Sequence, residues 1–129
     1  MPRNTLLSLL RQGASTWNEW RAAHAGERVD LSNLALYGLD LVGVNLAGAN
    51  LHKADLRGTN LTGATLAGAD LSSANFFRAV IVDADLYEAN LVGAQFLNCT
   101  QLVAAKNWQS AVRDRELACG GPIPRMPER

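Results

Sequence analysis

From Val29 to Asn98 a bulky residue returns at every fifth position: Leu31, Leu36, Leu41, Leu46, Leu51, Leu56, Leu61, Leu66, Leu71, Phe76, Ile81, Leu86, Leu91 and Phe96. Two places before each lies a second, smaller series, which runs Val29, Leu34, Leu39, Val44 and then almost entirely Ala, with Thr59 the exception. A period of five suits neither regular element. Five helical residues turn through about 500°, roughly 140° off the starting face, and five strand residues end on the opposite face of the sheet. Both series can be buried only if the backbone turns a corner once per pentad. Four right-angle corners close a loop of about twenty residues, and the next loop stacks on it at about 4.8 Å through a parallel ladder. The stretch therefore specifies an all-β solenoid of square cross-section.

Ala-Asn-Leu at 49–51 and 89–91, and Ala-Asp-Leu at 54–56, 69–71 and 84–86, resemble the pentapeptide-repeat family, whose pattern is Ala-(Asp/Asn)-Leu-x-x. The resemblance covers about 70 of the 129 residues. It implies a right-handed quadrilateral β-helix, here of about 3.5 coils with four pentads per coil. Leu-Leu-x-x-Gly followed by Trp-Asn-x-Trp-Arg ahead of the pentads also looks like the leader of many members. The resulting division is an N-terminal helical cap at 1–28, the β-helix at 29–98, a C-terminal helical cap at 99–119 and a flexible tail at 120–129.

The ends need covers, because a stacked solenoid leaves an apolar, hydrogen-bond-hungry surface. Asn4 or Thr5 can cap a first helix that carries Leu6, Leu7, Leu9 and Leu10 and stops at Gly13. Thr16 and Glu19 have capping-box spacing for a second, which carries Trp17 and Trp20 and stops at Gly26. Large residues at Val29, Leu34, Leu39 and Val44 widen the first coil for this lid. After Asn98 the register fails and the tube is expected to end. Residues 107–118 read as a closing helix with Trp108, Ala111 and Val112 on one side. Phe76 and Phe96, twenty apart, are expected to stack inside on the column begun by Leu36 and Leu56.

Corners give a finer reading. Gly38, Gly43, Gly48, Gly58, Gly63, Gly68 and Gly93 fill the third turn position, as a type II turn with positive φ requires. Ser73, Arg78, Asp83 and Glu88 replace glycine there, which predicts a different turn, without positive φ, in the coil from 69 to 88.

Twelve Lys and Arg balance twelve Asp and Glu, so net charge argues for neither nucleic acid nor an anionic membrane. The repeats alone hold three basic and seven acidic residues, about minus four. Cys99 and Cys119 do not form a framework, and reduced thiols are expected. The N-terminal leucines are too short and interrupted for a secretory signal, and no stretch approaches a membrane span. A soluble, cytoplasmic, bacterial protein is expected.

Outward positions fall into columns spaced by twenty. One holds Ser32, His52, Ser72 and Val92 beside Asp30, Asn50, Asp70 and Asn90. A hydrolase is tempting there, but a ladder makes such neighbours automatically and nothing supplies a cleft or an oxyanion hole. His24 is expected on the capping helix. Asp83, Asp85 and Glu88 could at best hold a hard cation weakly, and the cysteines and histidines are too scattered for zinc. The glycines recur at corners and do not form a phosphate loop. No catalytic residue, cofactor, metal or small-molecule substrate is therefore expected.

A further column carries Tyr37, Arg57, Phe77 and Leu97. Two aromatics, an Arg and a Leu in one outward row have the composition of an interface centre. The expected function is a non-catalytic scaffold with rigid faces for an unidentified protein partner or for a homodimer. The alternative follows from the resemblance, since some members inhibit or protect DNA gyrase by imitating duplex DNA. Duplex DNA carries about ten charges over roughly 17 Å, the length expected of this tube, against four net negatives here. Nucleic-acid binding and DNA mimicry are thus the weaker expectation.

Overall fold

The computed structural model describes residues 1–125. Ten isolated parallel bridges join residues twenty apart, from Asp30↔Asn50 to Asn75↔Gln95. Every corner is closed by the N–H of the small residue, which donates to the carbonyl of the bulky residue three places before, as in Ala54 to Leu51 at 2.9 Å. These corners turn both apolar series inward: Leu31 through Leu91 of the bulky series and Phe76 are at most 2% exposed. Thr59, standing where Ala is the rule, is also buried, and its Oγ1 donates to the Leu36 carbonyl at 2.7 Å. That bond removes the cost of an unpaired buried hydroxyl.

The Asp/Asn preference has an equally local cause. The Oδ1 of residue i accepts the N–H of residue i+2 at Asp30, Asp40, Asn45, Asn50, Asp55, Asn60, Asp70, Asn75, Asp85 and Asn90. This Asx turn satisfies a corner N–H that the ladder leaves out. Asn and Asp do it equally, so the position demands the oxygen and not the charge.

The corner expectation for residues 69–88 is overturned. Ser73, Arg78, Asp83 and Glu88 have φ of 58°, 58°, 58° and 54°, and Asn33 and Lys53 likewise adopt 61° and 57°. All corners share one handed geometry. At twelve of the thirteen corners this geometry aims the N–H at an acceptor on the layer above, as Ser73 N–H reaches the Val92 carbonyl at 2.9 Å and Asp83 N–H that of Ala104 at 2.9 Å; Arg78 keeps it with only the local corner bonds, Ala79 N–H to the Phe76 carbonyl and Phe77 N–H to Asn75 Oδ1. These bonds outweigh the left-handed penalty of about 1–2 kcal/mol per residue.

At the N-terminal end, α1 (Arg3–Arg11) and α2 (Ala14–Ala23) abut at Gly13, whose φ of 108° turns the chain between them. Both helices are placed differently from the sequence expectation at their ends: Pro2 precedes α1, Thr16 lies inside α2, and α2 stops at Ala23, before Gly26. Leu6, Leu10 and Trp17 plug the lumen, each at most 1% exposed, with Leu34 and Leu39 packed against this core. Polar side chains then imitate a missing coil. Trp17 Nε1 donates to the Asn45 carbonyl at 2.7 Å, Asn18 Oδ1 accepts the Asn45 N–H at 2.8 Å, and Arg3 Nη1 donates to the Ser32 carbonyl at 2.6 Å.

The C-terminal end departs most from expectation. Gln95 still bridges Asn75, but Phe96 then takes φ of 56° and the register slips by one. Phe96 is thrown outward, 66% exposed, and Leu97 turns inward at 9%. The expected Phe76–Phe96 stack and the outward Leu97 are both corrected. Helix α3 (Cys99–Val103) follows, started by a capping box in which Asn98 and Gln101 exchange side-chain and backbone bonds. The tube does not end at Asn98, since Lys106 bridges Asp85 and Val112 bridges Asn90. Residues 107–118 are not one helix but two 3₁₀ turns, Trp108–Ser110 and Arg115–Leu117.

Arg113 organises this region. It is 3% exposed, and its guanidinium donates to seven carbonyls, among them Leu117 at 2.6 Å, Ala111 at 2.9 Å and Pro122 at 3.0 Å. It lies 5.1 Å from the half-buried Trp108 ring, and burial depresses its pKa. Its bonds to Gly121 and Pro122 hold the start of the expected tail, whereas residues 126–129 fall outside the described chain. The expectation of reduced thiols is also corrected: Cys99 and Cys119 are joined, with Cα atoms 5.5 Å apart. They are 20 residues apart in sequence, and the bridge ties the start of α3 to the turn that follows Arg115–Leu117.

Candidate interaction face

Tyr37, Arg57 and Phe77 occupy equivalent outward positions on successive coils, and all three are exposed. Arg57 is fixed between two partners. Its Nε and Nη2 donate to Asp55 Oδ1 and Oδ2 at 2.8 and 2.7 Å, and its guanidinium carbon lies 5.9 Å from the Tyr37 ring centre. The bidentate bond holds the Asp55 carboxyl below its ordinary pKa and raises that of Arg57. The charge at this row is therefore locally cancelled.

Above Arg57 stands Phe77, 45% exposed, with the Arg78 guanidinium 5.3 Å from its ring centre. The slipped Phe96 meets Phe77 edge-on at 5.6 Å. Leu97, expected in this row, is inside; Phe96 takes its place. Beside the aromatic pair the register break leaves a notch of about 500 Å³ lined by Phe77, Arg78, Ala79, Phe96, Leu97 and Gln101. Val80, Val82 and Val103 are also exposed, at 40–48%. The pentad template alone puts Phe96 inside; the signal that it is not lies in Asn98 and Gln101, whose capping-box spacing marks a helix about to begin.

The other singled-out residues lie elsewhere. Trp17 is buried in the N-terminal plug, where its ring contacts that of Trp20 at 5.1 Å, and Trp20 stacks on His24 at 4.8 Å. Neither presents an open platform. Leu36, Leu56 and Phe76 are fully buried core.

The polar column does come together. His52 Nδ1 is 2.7 Å from Ser72 Oγ, which in turn donates to Asp70 Oδ1. The order of the chain is the reverse of a nucleophilic triad, because the serine proton is directed at the carboxylate and the imidazole must donate. Ser32 repeats the pattern on Asp30, so the arrangement is the local Asx turn with a hydroxyl added. That bond, led by the Ser32 hydroxyl, lowers the Asp30 pKa. The acidic group near residue 85 is spread among other partners: Asp85 Oδ1 accepts from Tyr87 N–H and Asn107 Nδ2, and Glu88 raises the Tyr87 pKa through a hydrogen bond to its hydroxyl. No set of three or more His, Cys, Asp or Glu that could hold a metal converges among the described residues. No helix among them is long and apolar enough to cross a membrane.

No curated protein sequence matches the chain. Among solved structures it is similar to a trypsin-treated variant of QnrB1, a plasmid-mediated fluoroquinolone resistance protein, at 26% identity and a TM-score of 0.50 over 66% of this chain. The chain spans only 38% of the length of that protein. It is also similar to alr5209, a pentapeptide repeat protein from Nostoc PCC 7120, at 32% identity and a TM-score of 0.39, covering 81% of this chain and 83% of the other. The description of pentapeptide repeats matches residues 27–63 and 55–93, in eight copies. With that match spanning more than half of a chain whose ladder repeats every twenty residues, the protein belongs to the pentapeptide-repeat family.

Proposed function

We propose that the chain is a non-catalytic, rigid scaffold of about 3.5 right-handed coils between two caps, and that its Tyr37–Arg57–Phe77 face binds a protein partner. The observation that carries this reading is the aromatic pair Phe77–Phe96, held outside the core at 45% and 66% exposure with its rings packed edge-on. Large aromatic side chains fixed at the surface of a stiff wall lose little entropy on docking, which is what interface anchors require. The neutralised Arg57–Asp55 pair beside them favours an apolar contact that tolerates salt. The non-catalytic reading is supported by the Ser72 hydroxyl being directed at Asp70.

Affinity capture from the native host with the full chain tests the reading. Phe77→Asp should abolish recovery of the partner while the purified protein keeps its circular dichroism and oligomeric state. Equal recovery with the variant removes the proposal.

The second reading, a topoisomerase-directed DNA mimic, is favoured by the similarity to a fluoroquinolone resistance protein. Against it, Asp30, Asp40, Asp55, Asp70 and Asp85 fill an Asx-turn position that Asn serves as well, and Asp55 is neutralised in place. A mimic must bind in a salt-sensitive way, so loss of partner recovery between low and physiological salt would favour it over the apolar face. The Cys99–Cys119 bridge removes reduced thiols as a ground for a cytoplasmic location.

A further inference from the structure

Among the described residues, the ladder lacks the N–H acceptors of one corner on its C-terminal side, and that corner lies at the notch. Thirteen corners place a residue with positive φ at the third position, from Asn33 to Gly93. In twelve of them its N–H finds an acceptor on the coil above or on the C-terminal segment. Arg78 is the thirteenth, and among the described residues its N–H has no acceptor. Ile81 N–H, which by the pattern of Leu41 and Leu61 would donate to the next coil, has none either. Val80 bridges Asn60 below and nothing above. The cause is the slip at Phe96, which withdraws the strand that would have lain there.

The acceptors at this step are treated differently. Gln101 Nε2 donates to the carbonyls of Phe76 and Ala79, at 3.1 Å each. What the ladder leaves free at the notch is therefore a pair of donors on one residue: the Arg78 backbone N–H and the Arg78 guanidinium, which forms no ion pair among the described residues. A surface of donors beside two aromatic rings calls for a ligand that only accepts. The chain contains its own precedent, because at Gly93 the corresponding N–H is satisfied by a carboxylate, Asp114 Oδ2, at 2.9 Å.

We propose that the notch binds an acidic side chain flanked by a large apolar residue in a partner protein. The carboxylate takes the Arg78 N–H and guanidinium, and the apolar neighbour packs on Phe77 and Phe96. This rests on the scaffold reading above and names the chemistry of its partner. Charge complementarity fixes the choice: one carboxylate can accept from the Arg78 N–H and guanidinium together, a short-range charge-assisted contact set beside the apolar one.

The test uses the ¹⁵N-labelled full chain titrated with the acetylated, amidated dipeptide Trp-Asp and, separately, with Trp-Asn. The Asp peptide should shift the Arg78 amide resonance and bind roughly tenfold more tightly than the Asn peptide, the scale of one charge-assisted bond. Arg78→Gly is the safe variant, since glycine already occupies seven of these corners. It should remove most of that preference while leaving the amide shift. Equal binding of the two peptides, or shifts that map away from residues 76–81 and 96–101, overturns the proposal. Larger shifts of the same amide by oligothymidylate would overturn it in favour of stacked bases. Failure here with Phe77→Asp still abolishing partner capture leaves the scaffold face standing; peptide binding with capture unaffected refutes the face and not the notch.

Discussion

Substituting the corner glycines separates the backbone term from packing. Gly63 has φ of 66°, and a Cβ built there meets nothing within 4 Å, so Gly63→Ala tests the left-handed penalty alone. That penalty is about 1–2 kcal/mol, offset by roughly 0.4–1 kcal/mol because alanine restricts the unfolded chain. The expected net loss is about 1 kcal/mol. Gly93→Ala has the same backbone term, with φ of 74°, but its Cβ would lie 3.1 Å from Ser73 Oγ, so it should lose more. Asp83, one coil above Gly63, gives the reverse experiment: Asp83→Gly should gain about 0.5 kcal/mol, less than the full term because Asp tolerates the left-handed region. Urea unfolding reads all three. With a slope of about 1–3 kcal/mol per molar urea, Gly63→Ala should lower the midpoint by roughly 0.3–1 M. If Gly63→Ala is neutral and Asp83→Gly destabilises, the corner geometry is not held at a cost, and the account of the corners given above is wrong.

Arg113→Lys should lose about 3 kcal/mol, because one ammonium cannot serve carbonyls spread from Trp108 to Pro122 and orphaned acceptors are expensive; a loss below about 1 kcal/mol in urea unfolding would count against Arg113 as organiser. Replacing both Cys99 and Cys119 by Ser opens a loop with a separation of 20 residues, for which chain entropy gives about 3 kcal/mol. Hydrogen exchange should then quicken around 113–122 and leave the coils unchanged, and uniform quickening would refute that localisation. Asp30 and Asp55 have folded pKa values below the ordinary 3.8. Their contribution is therefore present above that value and lost as pH falls through the lowered values. Asp55→Asn, which keeps the Asx turn, should flatten part of the fall in urea midpoint on the acid side, and parallel curves for variant and parent would show that the Arg57 pair contributes nothing.

The regular coils were legible in the sequence because one residue class per position decides them: a bulky residue, a small residue and an Asx oxygen, repeated until the register admits no alternative. The corners at Ser73, Arg78, Asp83 and Glu88 do not follow local preference: the closed corner, reinforced at all but Arg78 by an N–H bond to the layer above, holds φ positive and the side chain adapts. Phe96 and Leu97 are both large and apolar, so composition cannot say which one faces in. The answer lies in Asn98 and Gln101, whose helix start forces the chain off the wall. Arg113 carries no periodic signal at all, since its partners are backbone carbonyls. The aromatic row was half legible: Tyr37, Arg57 and Phe77 follow from counting by twenty, while its fourth member depends on the slip.

The side chains of Arg3, Trp17 and Asn18 at one end, and of Gln101, Ser110 and Asp114 at the other, stand in for coils that are not there. Neither cap needs to know how many coils lie between. Splicing in or removing twenty residues would lengthen or shorten the barrel by about 4.8 Å with both ends unchanged, whereas five residues would rotate one end by a quarter turn against the other. The molecule thus behaves as an indexed spacer, in which chain length sets both the distance and the angle between the N-terminal plug and the notch at Arg78.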